Sequence, residues 1–208
     1  MQRHAIPDID VRTRLAERGL ECHILLRGTS QTASDWKKEL CLELKSLLKA
    51  AYGQEVTEAH LQYETWAVVT APSSSPPVAC STLSFYSSLP CGFVTHFEAV
   101  HPSLQKTGLG RLLYDCLAVW ARFLVFNDVL VQEGVANSDS RYFLVSYIDA
   151  DDAEEVDEGD CWDARDNNVQ GHGTFLRKLG FVRAQHYFGQ TEDDVAFQRE
   201  FSVPVEEP

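Results

Sequence analysis

Apolar residues recur along this chain with two periods, and stretches of the two kinds alternate. The run at 21–28 (ECHILLRG) alternates apolar and polar positions and predicts a first strand. Ser34 is placed to cap a helix with Asp35 in its first turn, and Trp36, Leu40, Leu44, Leu47, Leu48 and Ala51 follow at helical spacing until Gly53 ends it. Strands are predicted at 64–70, 78–86 and 92–100, the first two separated by a Pro- and Ser-rich loop that suits a hairpin connection. A second strong helix carries Leu109, Leu112, Leu113, Cys116, Leu117, Trp120 and Phe123 on one stripe. After it come a strand at 141–148, an acidic stretch, a short helix at about 168–179 closed by Gly180, and strands at 181–188 and 194–201. The pattern predicts a mixed α/β domain with a central, mostly antiparallel sheet and helices on both faces, and neither an internal repeat nor a second core.

Composition narrows this picture. The 208 residues suit one domain spanning 21–203, with 1–20 as a loose N-terminal extension and 204–208 as a C-terminal tail. A 44% hydrophobic share supports a core, and the formal charge of −13 argues against a nucleic-acid coat or an anionic membrane as partner. No apolar run reaches the roughly 18 residues of a membrane span, and the first twenty residues lack the apolar stretch of a signal peptide. Cysteines 22, 41, 80, 91, 116 and 161 form no C-x-x-C pair, which fits reduced thiols in the cytoplasm, with the nucleus left open. His4, His23, His60 and His186 have no ligand spacing, and no metal site is expected. The stretch 149–166 holds ten acidic residues and Arg165. It reads as a self-repelling, solvated loop, and its Gly and Glu do not fall where a calcium-binding EF-hand loop needs them.

The segment 94–123 carries the chemistry. A strand leads into a turn with Gly108 and Gly110, which opens directly onto the amphipathic helix. Glycines let backbone N–H groups approach a ligand closely, and a helix start adds unpaired N–H groups and a positive dipole end, so such a turn suits phosphate or pyrophosphate. Lys106 and Arg111 add positive charge there. A P-loop would end in Gly-Lys-Ser/Thr, and a dinucleotide fingerprint would need a small residue at Leu113. What remains is Gln/Arg-x-x-Gly-x-Gly/Ala, met by Gln105, Gly108 and Gly110. With Ala-Val-His-Pro before the turn and Lys-Leu-Gly-Phe at 178–181, the chain resembles the GCN5-related N-acetyltransferase (GNAT) superfamily over most of 21–201. The resemblance implies an acyl-CoA N-acyltransferase fold with acetyl-CoA as co-substrate. It also implies that Ala99, Val100, Gln105, Lys106, Thr107, Gly108, Leu109, Gly110 and Arg111 line the co-substrate site. Asn168, at the start of the later helix, either caps it or touches the pantetheine arm.

Acetyl transfer to an amine needs a positioned thioester, a donor for the developing oxyanion and a base for the ammonium proton. Strict alternation along 93–100 puts Val94, His96, Glu98 and Val100 on one face. His96 stands nine residues before Gln105, where several family members carry a Glu or His base. The run from His96 to His101 is similar to the arylalkylamine branch, which has a further histidine where this chain has Val94. Glu98 is expected to orient His96, hold a cationic amine or act as the base itself, and His101 reads as a surface turn residue. Many family members place an acidic Tyr at the position of Leu176, so the proton for the leaving thiolate must come from water or another group, with Tyr142, Tyr147, Cys161 and His172 as candidates, or not at all. No cysteine lies on the stretch expected to meet the thioester, which favours direct transfer in a ternary complex over an acetyl-cysteine route. The acceptor is expected to be a primary amine on a cationic small molecule. A protein lysine or N-terminus, and a non-catalytic acyl-CoA sensor, stay as alternatives; monomer and homodimer are both open.

Overall fold

A computed structural model describes residues 3–25, 34–53, 55, 66–71, 76–86, 92–126, 141–149, 170–184 and 194–202. In chain order the elements are β1 (Arg3–Ala5), α1 (Ile9–Ala16), β2 (Glu21–Leu25), α2 (Ser34–Tyr52), β3 (Trp66–Thr70), β4 (Pro77–Thr82), β5 (Ser84–Tyr86), β6 (Gly92–Thr95), β7 (Ala99–Val100), a short 3-10 turn (Pro102–Leu104), α3 (Leu109–Phe126), β8 (Arg141–Asp149), α4 (Gln170–Lys178), β9 (Val182–Arg183) and β10 (Asp194–Ser202). They gather into two compact units, Met1–Ser84 with His96–Gly134, and Phe85–Thr95 with Val135–Pro208.

The first unit holds a five-stranded sheet in the order β1-β2-β3-β4-β7, antiparallel throughout. Alternation sorts its side chains onto two faces. Leu25, Trp66, Val68, Cys80 and Ala99 pack with Leu44, Leu47 and Leu48 of α2. Cys22, Ile24, Ala67, Val69 and Ala79 are also buried and occupy the opposite face, with Cys22 paired to Val69 and Ile24 to Ala67. Helix α3 packs against β3, β4 and β7, and its free Cys116 thiol is hydrogen-bonded to that of Cys22. Both faces of β3 are therefore dry, which is why its sequence, WAVVT, is nearly all apolar instead of alternating. Helices cover both faces of this sheet, as the sequence pattern implied.

The second unit holds a sheet in the order β5-β6-β8-β10-β9. Strands β6 and β8 run parallel, as a long connection carrying α3 allows, while β8 and β10 pair antiparallel from Asp149↔Asp194 to Arg141↔Ser202. Val94, Val145 and Ala196 form one cluster. Phe93 packs on Phe85 at 5.1 Å and Phe201 at 6.2 Å between ring centroids, and Phe201 stacks on Tyr142 at 5.9 Å. Helix α4 closes as Gly180 predicts. Gly180 has φ +85, its N–H donates to Arg177 O, and the Phe181 N–H reaches back to Leu176 O at 3.0 Å. That is the paired-bond closure that needs a left-handed residue.

The mixed α/β, mostly antiparallel architecture stands, and among the described residues its strands divide between two five-stranded sheets, each with its own buried cluster where one core is expected. Three details within it are corrected, beginning with one strand. The strand read at 92–100 is broken at 96–98, so β6 pairs in one sheet and β7 in the other. Second, the strand read at 78–86 is two strands interrupted at Leu83. Third, residues 3–20 are not a loose extension. Strand β1 pairs with β2, and Asp8 caps α1 by accepting from Val11 N at 2.8 Å. Val11 and Leu15 are buried, and Arg14 bonds Asp115 of α3 at 2.8 Å. A helix of eight residues is too short to be stable by itself, so its signal in the sequence is weak and its order comes from packing. The strand expected at 181–188 spans Val182–Arg183, with 185–193 outside the described residues. Residues 150–169, and with them Asn168, Cys161 and nearly all of the acidic stretch, also lie outside them.

Candidate functional site

The turn between β7 and α3 is built from local bonds. His101 caps the 3-10 turn, accepting from Ser103 N through Nδ1 at 3.3 Å, and the Leu104 N–H donates to His101 O at 2.8 Å. Gln105 reaches back to Val100 O through Nε2 at 3.4 Å, and the Thr107 hydroxyl donates to Leu104 O at 2.6 Å. Gln105 has φ −62, Lys106 +62 and Gly108 +85, while Thr107 is not among the positive-φ residues. A turn with left-handed residues at the start of a helix is a kind of backbone that favours an anion. Leu109, at the first position of α3, is 2% exposed and pins the turn to the core. Gln105, Lys106, Thr107, Gly108 and Arg111 are exposed around it, and Gly110 is half-buried. The helix start and two exposed cations suit the charge of an acyl-CoA diphosphate.

The broken strand is built differently. Phe97 has φ +55, a conformation that costs a non-glycine residue free energy unless the surroundings fix it. Its ring stacks on Trp66, 6.1 Å between centroids and 21° between planes. Next to it, the His96 backbone is held by Thr82: His96 N donates to the Thr82 hydroxyl at 2.9 Å, and that hydroxyl donates to His96 O at 3.0 Å. The Thr82 N–H also donates to His96 O at 2.9 Å. On α3, the buried Tyr114 donates from its hydroxyl to Glu98 Oε1 at 3.1 Å. On α2, the Tyr52 hydroxyl donates to the Glu98 backbone carbonyl.

These contacts set the local electrostatics. Nearly half of Tyr52 is exposed, yet loss of water around its hydroxyl, followed by the Glu98 charge, pushes its pKa well up. Complete burial, followed by Glu98, does the same to the Cys80 thiol. Both groups remain protonated at neutral pH, so Tyr52 acts there as a donor and Cys80 is not a nucleophile. Cys116 is likewise pushed up, first by its bond to Cys22 and then by burial.

The structure brings the turn residues 105–111 together and ties them through Gln105 to the end of β7, where Ala99 is buried and Val100 half-buried. His96 and Glu98 are both half-buried, but the left-handed residue between them removes the strict alternation that assigned them to one face. Leu176 is fully buried on α4, where the resemblance would have an acidic Tyr. Of the named acid candidates, Tyr142 is buried and Tyr147 half-buried on β8. Four residues were missed from sequence: Arg18, Thr82, Tyr52 and Tyr114. Arg18 donates from Nη1 to Thr107 O at 3.2 Å. Tyr114 could have been found, because a polar-tipped residue five positions into a dry helix needs a partner for its hydroxyl.

No protein-family model matches the sequence, and no curated protein matches it. Solved structures do resemble it. The ribosomal-protein-S18-alanine N-acetyltransferase of Escherichia coli is 16% identical with a TM-score of 0.45, over 89% of this chain and 96% of that one. An acyl-CoA N-acyltransferase from Pseudomonas aeruginosa is 13% identical with a TM-score of 0.48, over 86% and 99%. The N-acetylglutamate synthase of Neisseria gonorrhoeae, solved with coenzyme A and L-arginine, is 15% identical with a TM-score of 0.44, over 88% of this chain and 33% of that longer one.

Proposed function

We propose that the protein is an acetyl-CoA-dependent N-acetyltransferase that moves an acetyl group directly to a primary amine in a ternary complex. The observation that carries this reading is the turn 105–110, with its alternating φ signs and exposed cations at the start of α3. The backbone of 106–111, with Lys106 and Arg111, holds the diphosphate of acetyl-CoA, and Ala99 and Val100 at the end of β7 line the pantetheine arm. Acetyl-CoA supplies an acyl group already activated as a thioester.

The rest of the work falls to the broken strand. His96 takes the proton that the ammonium must lose before its nitrogen can bond to the carbonyl carbon. As that bond forms, the carbon–sulfur bond breaks and its electron pair leaves on the thiolate, while the nitrogen gives up its second proton, which reaches the thiolate sulfur through water since Leu176 supplies no acid. Glu98, held by Tyr114, keeps a negative charge beside the acceptor amine. A net charge of −13 and the ten carboxylates of 149–166 favour a cationic acceptor, because a negative field raises its local concentration.

The absence of an acid at Leu176 favours a second reading, an acyl-CoA-binding module without turnover. Release of free thiol from acetyl-CoA separates the two. A screen over polyamines, arylalkylamines, amino sugars and basic peptides should give amine-dependent thiol release with at least one class. Acetyl-CoA binding without release for any of them supports the binding module.

A further inference from the structure

We propose that Arg18 is a third cationic contact for the acyl-CoA phosphates, delivered to the turn by helix α1 from outside the stretch that the sequence marks as the domain. The inference rests on the acyl-CoA reading above and concerns the same site.

Helix α1 ends at Ala16, and Arg18 lies in the turn that follows. From there its guanidinium spans to the glycine turn: Nη1 donates to Thr107 O at 3.2 Å, and Nη2 lies 3.4 Å from where a Cβ on Gly108 would stand. Gly108 serves the turn through its φ of +85, with the guanidinium at contact distance beside it. A guanidinium carries five N–H donors in a planar fork, and the bond to Thr107 O engages one of them. The fork matches the geometry of phosphate oxygens, and the long side chain that now ends at this turn can turn it toward an anion held there.

A purely structural role explains the placement less well. Helix α1 is already fixed by the buried Val11 and Leu15, by the Arg14–Asp115 ion pair at 2.8 Å, and by strand β1 next to it. A bond between an exposed arginine and a carbonyl adds little to that. The chain has 18 Lys and Arg against 31 Asp and Glu, yet Arg18, Lys106 and Arg111 all stand at this one turn. Concentrating cations in an acidic chain serves an anion that binds there.

The test compares the full-length parent with Arg18→Ala and Arg18→Lys, titrated with acetyl-CoA and with acetyl-pantetheine, which lacks the nucleotide and its diphosphate. Arg18→Ala should weaken acetyl-CoA binding about tenfold, the worth of one charge-assisted hydrogen bond, and make the affinity less sensitive to salt. Arg18→Lys should recover part of the loss. Affinity for acetyl-pantetheine and the melting temperature should stay at parental values. The contact at Arg18 is overturned if Arg18→Ala binds acetyl-CoA as the parent does, or if it weakens both ligands equally. A parent that binds no acetyl-CoA refutes the acyl-CoA reading itself, and the Arg18 contact with it.

Discussion

The glycine turn at 105–110 and the broken strand at 96–98 are neighbours in the chain, yet they are made by opposite means. The turn is held mostly by bonds within a few residues: His101 to Ser103 and Leu104, Thr107 to Leu104, Gln105 to Val100. On the proposed reading its binding groups are backbone amides, so its chemistry depends on where glycine stands and where a helix begins. The broken strand owes its shape to distant partners. Thr82 holds His96, Trp66 supports the strained Phe97, and Tyr114 and Tyr52 hold Glu98. A turn shaped by its own backbone can be written in six residues, whereas a strand break held by distant side chains has to be assembled by the fold.

The contrast can be broken most sharply at Gly110. Asp is favourable in the first turn of a helix, so Gly110→Asp should leave α3 intact while placing a negative charge beside the phosphates. We expect acetyl-CoA affinity to fall by about 100-fold or more, measured by calorimetry, without loss of melting temperature. Unchanged binding would show that the turn does not hold the diphosphate. His96→Ala probes the other region. It should lower kcat by roughly 100-fold, remove the acidic limb of the pH–rate profile, and leave acetyl-CoA affinity near the parental value. Persistence of parental activity would move proton removal to Glu98 or to water.

Smaller effects sharpen the comparison. Thr82→Val keeps the shape of the side chain but removes the hydroxyl that accepts from His96 N, while His96 O keeps the Thr82 N–H, so it should cost about 1–3 kcal/mol of stability in denaturant unfolding. If the turn is as local as its bonds indicate, acetyl-CoA affinity should survive that change. Loss of both together would mean that the turn depends on the strand after all. The smallest effect is a pH dependence. The folded-state pKa values of Tyr52 and Cys80 are both raised, so the stability they contribute is complete below their ordinary values of 10.0 and 9.0 and is lost as pH rises beyond them. For the fully buried Cys80 the slope approaches about 1.4 kcal/mol per pH unit above that point. Cys80→Ala should flatten the alkaline limb of the stability curve, and an unchanged limb would place the titration elsewhere.

The sequence made the first of these regions legible and left the second half-read. Gln105, Gly108 and Gly110 identify the turn because each belongs to a short local pattern: Gly108 acts through its backbone φ, Gln105 reaches only five residues back, and Gly180 closes α4 through its backbone as Gly108 does. The apolar stripes of α2 and α3 were equally clear, since a helix face records its packing in a fixed period. The run 92–100 concealed its break. Phe97 occupies a left-handed conformation that aromatic residues rarely adopt, and it does so because Trp66, far away in sequence, stacks on it. Nothing local announces that, so one strand was read where two serve different sheets. Residues 3–20 were misread for a related reason: a three-residue strand and an eight-residue helix acquire order from β2 and α3, not from their own pattern. Arg18 then went unnoticed because its role depends on that order.

The central claim is that the turn 105–110 binds the phosphates of an acyl-CoA, and it is tested most directly by titrating the parent with acetyl-CoA and with acetyl-pantetheine side by side. The two ligands share the thioester and the pantetheine arm and differ by the nucleotide and its phosphates. The account predicts micromolar binding of acetyl-CoA and at least about 100-fold weaker binding of acetyl-pantetheine, with the difference shrinking as salt screens the charges. Equal affinity for both, or binding of neither, would contradict it.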